Sequence, residues 1–546
     1  MNFVTVTIQS DAKDIDPIYV LLSVQVNIEA NRIPYAELVY IDGNSTSREF
    51  ALSDTDIFEP GKKITIKLRY EEDPSTEKTV FTGLVAKQEI NASPGNSTLT
   101  VVIKDAAVAM TQGKNHRVFT EMSDDEVIKK IIGLHNLKVK TIASTQPKHA
   151  EIVQYACSDW DFILARAESN GLLIAIQDES ISALTIKAPS ASAVTLEQGI
   201  DEIYNIDIEA NGVGQYKKVS ASAWDVKNQQ SIQTDKADNL SLTPGNLSGQ
   251  KLAGSLGGED YALATSAALS QAELTAWITG KLARTQLSLI RGSVSLPGRT
   301  DVALLDAIEI KGLGKRFDGK AIVTGIGHRV TPGSWVTDIQ LGLADQWLLN
   351  SNEANGLPAS GLLPGISGLH IGQVLDLSED PDKELKVKIK WPTLPDDGNT
   401  LWARFASPDA GKERGFLFRP EVGDEVVMGF VNGDPRQAII LGSLYGSKNA
   451  TPARFGKPDD KNNGRGIASK KGMVIGFDDE KTIVYIETPG KNTITLDDGG
   501  KKIELKDQHG NCITMDDKGI TLKSAKDFKL EASGDVEIKG TKVDIK

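Results

Sequence analysis

Cysteine is almost missing from this chain: Cys157 and Cys512 are the two present in 546 residues. They lie far apart, on stretches that read as separate domains, so a disulfide is not expected and the usage fits assembly in a reducing cytoplasm. Long apolar runs are missing too. No stretch of about 18 apolar residues occurs, which excludes a membrane-spanning helix. The start, Met1 to Ile8, alternates like a strand and has neither the basic nor the apolar segment of a signal peptide. If the protein leaves the cell, a route other than general secretion must carry it. Positive charge is in deficit, with 61 Lys and Arg against 74 Asp and Glu and a net charge of −13. Nucleic acid is therefore not an expected partner, because phosphate binding needs clustered Lys and Arg.

Motifs that carry chemistry are equally sparse. The six histidines (His116, His135, His149, His328, His370 and His509) are scattered. There is no His-Glu-x-x-His and no paired cysteine, so neither a metal nor a cofactor is expected. Gly312-Leu313-Gly314-Lys315-Arg316 lacks phosphate-loop spacing, and no Gly-x-Ser-x-Gly elbow occurs. The acid pairs Asp478-Asp479, Asp497-Asp498 and Asp516-Asp517 recur between strands and read as solvated turn residues, not as an acid and base. Asn44-Ser45-Thr46 and Asn96-Ser97-Thr98 match glycosylation sequons, which mean nothing without a secretory route. No catalytic residue is expected, and the chain reads as non-enzymatic.

Its end, by contrast, is strongly patterned. From Asn492 onward apolar residues come as doublets two positions apart: Ile494/Leu496, Ile503/Leu505, Ile513/Met515, Ile520/Leu522, Phe528/Leu530, Val536/Ile538 and Val543/Ile545. Successive doublets start 9, 10, 7, 8, 8 and 7 residues apart. A spacing of two puts both members on one face of an extended strand. Turn formers such as Asp497-Asp498-Gly499-Gly500 and Asp516-Asp517-Lys518-Gly519 fill the gaps. The doublets and glycines exclude a coiled coil. A β-meander within one chain stays open as an alternative, but two inward residues per strand cannot bury a core alone. Single-chain β-helices use about 20 or more residues per coil. Three parallel copies, each forming one side of a triangular prism, would bury the doublets on a common axis. A trimeric intertwined β-helix is expected, with the doublets from Ile494/Leu496 to Val536/Ile538 as its core. Val474, Val484 and Ile486 lengthen it if they share that face.

Upstream the chain is mainly β. Residues 1–345 read as a hub of two barrel-like units with inserted helices. Strands are expected at Leu22–Ile28, Ile64–Leu68 and Leu99–Ile103, then at Ile308–Ile310, Ala321–Val323 and Val336–Ile339. Ser123-Asp124-Asp125-Glu126 is a capping box, Ser158 caps a second helix that Gly171 ends, and a third helix is expected over Ser270 to Ile290. The weak patterning around 211–265 predicts strands with long loops. A Gly, Pro and Ser-containing linker follows at 346–367. Residues 368–447 fit a five-stranded barrel of OB type, with Pro392 and Pro395 ending a strand. A neck at 448–469, containing Pro452 and Pro458, leads to the needle at 470–546.

The run Ala410-Gly411-Lys412-Glu413-Arg414-Gly415-Phe416-Leu417-Phe418-Arg419-Pro420-Glu421-Val422-Gly423-Asp424-Glu425-Val426-Val427, continued by Gly433-Asp434-Pro435 and Ile440 to Tyr445, closely resembles the signature of VgrG-type spikes. These belong to type VI secretion systems and related contractile injection machines. Gln154-Tyr155, Asp159 to Arg166 and Gly171-Leu172 resemble a segment of that family's hub. The order of hub, OB barrel and needle covers essentially the whole chain. The resemblance implies a homotrimer at the head of a tail tube, puncturing a target membrane, with tail-tube and baseplate proteins as partners and effectors as cargo. Two barrel-like units per chain would give six around the axis, matching hexameric tube rings. A PAAR-like tip protein would sit on Val543, Ile545 and Lys546. The short length, the loosely matching N-terminus and the absence of an appended effector domain at Lys546 favour extracellular particles of the antifeeding-prophage and Photorhabdus virulence-cassette kind, with a compact type VI spike or a phage spike as the alternatives, and the bacterial cytoplasm is the expected place of assembly. Some tips of this class bind iron through His-x-His; Gly540 to Lys546 hold no histidine. Two other readings are a peptidoglycan-hydrolysing spike and a tail-fibre-like adhesin. The first lacks room in the neck for a glycosidase with two positioned carboxylates, and the tube-adaptor hub argues against the second.

Overall fold

The computed structural model describes residues 3–546 except 44–48, 73–74, 76, 94–96, 178, 188–190, 226–227, 238–239, 241–244, 266–268, 347, 349–363, 395–398 and 458. The expected linker 346–367, Pro395, Pro458, the Asn44 sequon and Asn96 therefore fall wholly or largely outside the described residues. The fold is mainly β and divides into two compact units, residues 1–356 and 357–546.

In the first unit the period-two pattern does what it predicts. Val24, Val26 and Ile28 of strand Leu21–Glu29 are buried, as are Ile64, Ile66 and Leu68 of Lys63–Tyr70 and Leu99, Val101 and Ile103 of Thr98–Lys104. Alternation alone did not reveal how far the sheet extends. Leu21–Glu29 pairs antiparallel with Gly319–Thr331, placing Val26 opposite His328. That pairing merges the early and late strand-rich stretches into one 13-stranded sheet. Their side chains share a core, in which Ile64 and Leu99 belong with Val294 and Ile339.

Two helical insertions attach to this sheet. In the first, α1 (Asp124–Leu134) begins with the expected capping box, the Ser123 N–H donating to Glu126 at 2.9 Å. α2 (Asp159–Ser169) begins at Ser158, whose hydroxyl accepts the Asp161 N–H at 3.0 Å. Val127, Ile128, Ile131 and Ile132 of α1 pack with Phe162, Ile163 and Leu164 of α2. In the second insertion α3 (Gly249–Leu256) and α4 (Gln271–Leu287) accompany the sheet of Lys218–Asp225, Gln230–Thr234 and Asp260–Ala264. α4 falls within the helix expected over Ser270 to Ile290, and α3 was not expected. Its signals are local: Ser248 caps it and Gly257, at φ 79°, ends it. Gly171 terminates α2 at φ 66° and also meets α4, where a Cβ on it would lie 2.8 Å from Gly280 Cα. Both positions need glycine for backbones to approach so closely.

The second unit holds a closed five-stranded barrel of His370–Asp376, Val387–Lys390, Thr400–Phe405, Ala438–Ser443 and Glu425–Phe430. Val374, Val387, Ile389, Val426, Met428 and Ile440 fill it. Seven strands follow, each paired antiparallel with the next: Gly464–Ala468, Val474–Asp478, Ile483–Glu487, Thr493–Asp497, Lys502–Lys506, Cys512–Asp516 and Gly519–Lys523. Within one chain this stretch is thus a meander, the topology left open above. Val484 and Ile486 extend the pattern upstream as expected, and Ile475 and Phe477 carry it into the preceding strand, whereas Val474 points to the opposite face, where it is buried and stands across from Glu487. No strand forms after Lys523.

Candidate functional site: an uncovered apolar sheet face

The barrel's signature residues shape backbone. Gly411 pairs with Arg414 in a tight hairpin, and Gly415 adopts φ 131°. Arg414 clamps Asp409 through two bonds of 2.6 and 2.7 Å. Pro420 is buried. Gly423, at φ 95°, donates to the Val374 carbonyl at 2.8 Å, and Asp424 accepts the Glu421 N–H at 2.9 Å. Glu425 opens the strand paired with Gln373. Gly433 takes φ 64°, and Asp434, followed by Pro435, is held by Arg436 at 2.6 Å. These positions build turns between barrel strands; Gly423 and Glu425 also line a shallow hollow of about 350 Å³ with Gln373 and Lys448.

The meander carries the larger feature. Its register aligns Ile467, Ile475, Ile486, Ile494, Leu505, Ile513 and Leu522 in one column across all seven strands. A second column beside it holds Phe477, Val484, Leu496, Ile503, Met515 and Ile520. The opposite face reads Tyr485, Thr495, Glu504, Thr514 and Thr521 in register. One face is therefore apolar along both columns, with Arg465 opposite Phe477 at its start, and no described residue buries it: Ile494 is 40% exposed and Leu496 45%. The buried apolar clusters of the chain stop at Ile440, and Val474 is the one fully buried apolar residue described beyond it. A contiguous apolar surface of this kind marks an interaction face.

Residues 1–332 match the family model described as the Alg8 N-terminal domain. The chain belongs to that family. Residues 370–445 match the type VI secretion system/phage-baseplate injector OB domain, and residues 483–546 the phage baseplate V C-terminal trimerisation domain. The VgrG-type resemblance is thereby established, and the apolar columns fall largely within the trimerisation domain. Among curated proteins, the type VI secretion system spike protein VgrG5 of Pseudomonas aeruginosa is 43% identical over 12% of this chain and 9% of its own length. VgrG3 of Vibrio cholerae, also a type VI secretion system spike protein, is 36% identical over 14% of this chain and 8% of its own. The chain thus matches under a tenth of the length of these relatives. The prophage MuSo2 43 kDa tail protein of Shewanella oneidensis is similar over 63% of this chain and 98% of its own, at 10% identity and a TM-score of 0.47.

In this member of the Alg8 N-terminal family the recurrent acid pairs occupy turns. The Asp478 carboxylate accepts the Lys481 N–H at 3.0 Å, Asp497 that of Gly500 at 2.6 Å and Asp516 that of Lys518 at 2.9 Å. Asp507 does the same for His509 at 2.9 Å and Asn511 at 2.8 Å. A carboxylate engaged with its own turn directs the chain reversal. His509 is exposed in such a turn. Of the expected core doublets, those from Ile494/Leu496 to Ile520/Leu522 join the columns, whereas Phe528, Leu530, Val536 and Ile538 lie beyond the last strand. Val543, Ile545 and Lys546 are exposed there as well.

Sequence reasoning missed two buried polar clusters in the hub. Asp159, 1% exposed, accepts from Gln154 at 2.7 Å and Asn115 at 3.0 Å, contacts His135 at 2.8 Å and pairs with Arg117. Burial opposes its ionisation, but these donors outweigh it and hold the carboxyl below its usual range. Asp124 takes a two-point contact from Arg166, at 2.6 and 2.8 Å, and another from Asn170 at 2.8 Å. Both aspartates open a helix, where the N-terminal dipole also favours negative charge. Their partners are spent on each other. A hollow of about 410 Å³ in the hub is lined by Lys63, Asp105, Glu179 and His328 among others. Its polar groups are likewise engaged: Lys63 with Glu179, Asp105 with the Ala107 N–H and His328 with Thr337.

Proposed function

We propose that this chain is the structural, membrane-puncturing central spike of a contractile injection particle, acting as a homotrimer. The observation that carries the reading is the pair of apolar columns on a seven-strand sheet with no core of its own. Three copies turning those columns to a common axis remove them from water, and each chain keeps its polar face outside. Burying a half-exposed aliphatic side chain contributes on the order of 1 kcal/mol, so the columns together favour association strongly. Closure also protects a sheet whose paired backbone can bear axial load.

In this reading residues 1–345 form the adaptor to the hexameric tail tube, 346–367 the linker, 368–447 the barrel collar, 448–469 the neck and 470–546 the needle. Tail-tube and baseplate proteins are the partners, effectors the cargo and the target membrane the surface met on firing. Val543, Ile545 and Lys546 form the contact for a small conical PAAR-like tip protein. The role is mechanical and not enzymatic, and the particle is assembled in the bacterial cytoplasm before acting outside it. The deciding experiment is the native mass of the purified full chain. A mass three times that of the 58.8 kDa chain is expected, and a monomer at micromolar concentration overturns the reading.

A further inference from the structure

The two helical insertions of the hub touch each other, and the chain leaves the hub where they meet. Gly171, just after α2, and Gly280, within α4, bring them together backbone to backbone. A Cβ on Gly280 would lie 2.9 Å from Gly171 Cα and 3.1 Å from the Glu168 carbonyl oxygen. At the start of α4 His149 joins the insertions again, standing 3.3 Å from Asp124 and 3.4 Å from Glu273. Strand Ser334–Leu341 is followed by Gly342, and the Leu343 N–H then donates to the Leu287 carbonyl of α4 at 3.4 Å. The exit residues that follow are gripped from both insertions. Arg284 of α4 donates to the carbonyls of Ala344 at 2.9 Å and Gln346 at 2.8 Å. Its Nη1 lies 3.5 Å from Glu168 of α2, whose other carboxylate oxygen accepts the Leu348 N–H at 2.7 Å. Lys281 pairs with Asp345 at 2.7 Å, and Leu348 packs against the core of the first insertion. The side chains of Arg284 and Lys281 are each 11% exposed and that of Glu168 5%. Charges buried this far are costly unless partnered. Burial pushes the Glu168 carboxyl up, while the Leu348 N–H and Arg284 pull it back. Each insertion thus needs the exit residues to satisfy a buried charge of its own.

We infer that residues 344–346 and Leu348 form a strap that locks the two helical insertions together and, through the same bonds, fixes where the chain leaves the hub. The insertion interface and the exit point then behave as one element. Releasing the strap strands Glu168 and Arg284 in a buried place, which loosens α2 from α4. Parting α2 from α4 separates Glu168 from Arg284, and the strap loses its grip. Coupling of this kind is reciprocal, because it is one free energy seen from two sides. A shift of the chain beyond the hub is thereby felt between the insertions, and a shift between the insertions at the exit. The strap belongs to a single chain and does not depend on the trimer proposed above.

Amide hydrogen exchange on the full chain tests the strap from both sides. The Leu348 N–H should be protected by about 100-fold or more over an unstructured chain. Arg284→Lys keeps a positive charge beside Glu168 but loses the fork that holds two carbonyls. It should speed exchange at Leu348 by about tenfold, the factor expected for one charge-assisted hydrogen bond, and leave strand Ser334–Leu341 unchanged. Lys281→Gln removes the Asp345 pair and should act on the same amide in the same direction, so the test survives if Arg284→Lys folds poorly. Gly280→Ala is the reciprocal arm. Alanine favours a helix interior over glycine, so a purely local effect would stabilise α4 and leave Leu348 protected. The strap predicts the opposite, faster exchange at Leu348, because the added Cβ presses on Gly171 and Glu168. Wild-type Leu348 exchanging at the unstructured rate overturns the inference. So does Arg284→Lys speeding exchange equally throughout the hub, or Gly280→Ala leaving Leu348 as protected as before. Native mass, read on the same samples, reports the trimer separately.

Discussion

Gly415 shows at a single residue why the barrel signature reads as it does. At φ 131° a Cβ would lie 2.3 Å from the Asp409 carbonyl oxygen, so any side chain must displace backbone. Gly415→Ala should cost roughly 1–3 kcal/mol, seen as a lower urea midpoint for the second unit. His328 offers a second test. Burial holds its imidazole down at about 4, with Asp338 pulling the other way, while Trp335 Nε1 and Thr337 Oγ1 lie at 3.4 and 3.1 Å. The unfolded chain binds a proton near pH 6.5 that the folded chain refuses until about pH 4. Stability is therefore complete above pH 6.5 and falls as pH drops towards 4, by roughly 3 kcal/mol at most. His328→Gln should flatten that component of the unfolding free energy measured against pH.

At the scale of elements, the two faces of the meander make opposite predictions. Leu496 stands in an apolar column between Val484 and Ile503, and Thr495 faces the other way between Tyr485 and Glu504. Leu496→Asp places three carboxylates about the proposed axis, where burial without partners is prohibitive. Light scattering should show loss of the trimer. Thr495→Asp should leave the mass unchanged, and equal effects at both sites would refute the assignment of faces. The turns are more forgiving. Asp497→Ala removes a bond to an exposed N–H and should cost about 1 kcal/mol or less, read as a small fall in melting temperature.

For the molecule as a whole, charge and apolar surface divide the labour. The hub buries its hydrophobic residues in its own clusters, with Asp124 and Asp159 neutralised by partners inside it. It should fold without other copies. The meander cannot, having no core to itself. A chain lacking residues 464–546 should thus give a folded monomer by circular dichroism and sedimentation, whereas the full chain sediments as a trimer. Asp159→Ala, which strands Arg117 and His135 beside an emptied site, should destabilise the hub by about 3–5 kcal/mol without changing the mass of the assembly.

Much of this was legible in local spacing. A doublet two apart occupies one strand face whatever surrounds it, so the apolar doublets, the turn aspartates, the capped starts of α1 and α2 and the presence of α4 could be read directly. The five-strand barrel followed from strand count and punctuation, and its signature carried the family. α3 escaped because Gly, Ser and Asn blur its periodicity, though its caps are plain in hindsight. The register of Val26 on His328, the gathering of Asn115, Arg117, His135 and Gln154 around Asp159, and the meander topology were settled only by folding. Side-chain spacing acts within a few residues and reports a face. Which strands share a ladder depends on distant segments meeting, and for residues beyond Lys523 the chain by itself supplies no strand partner.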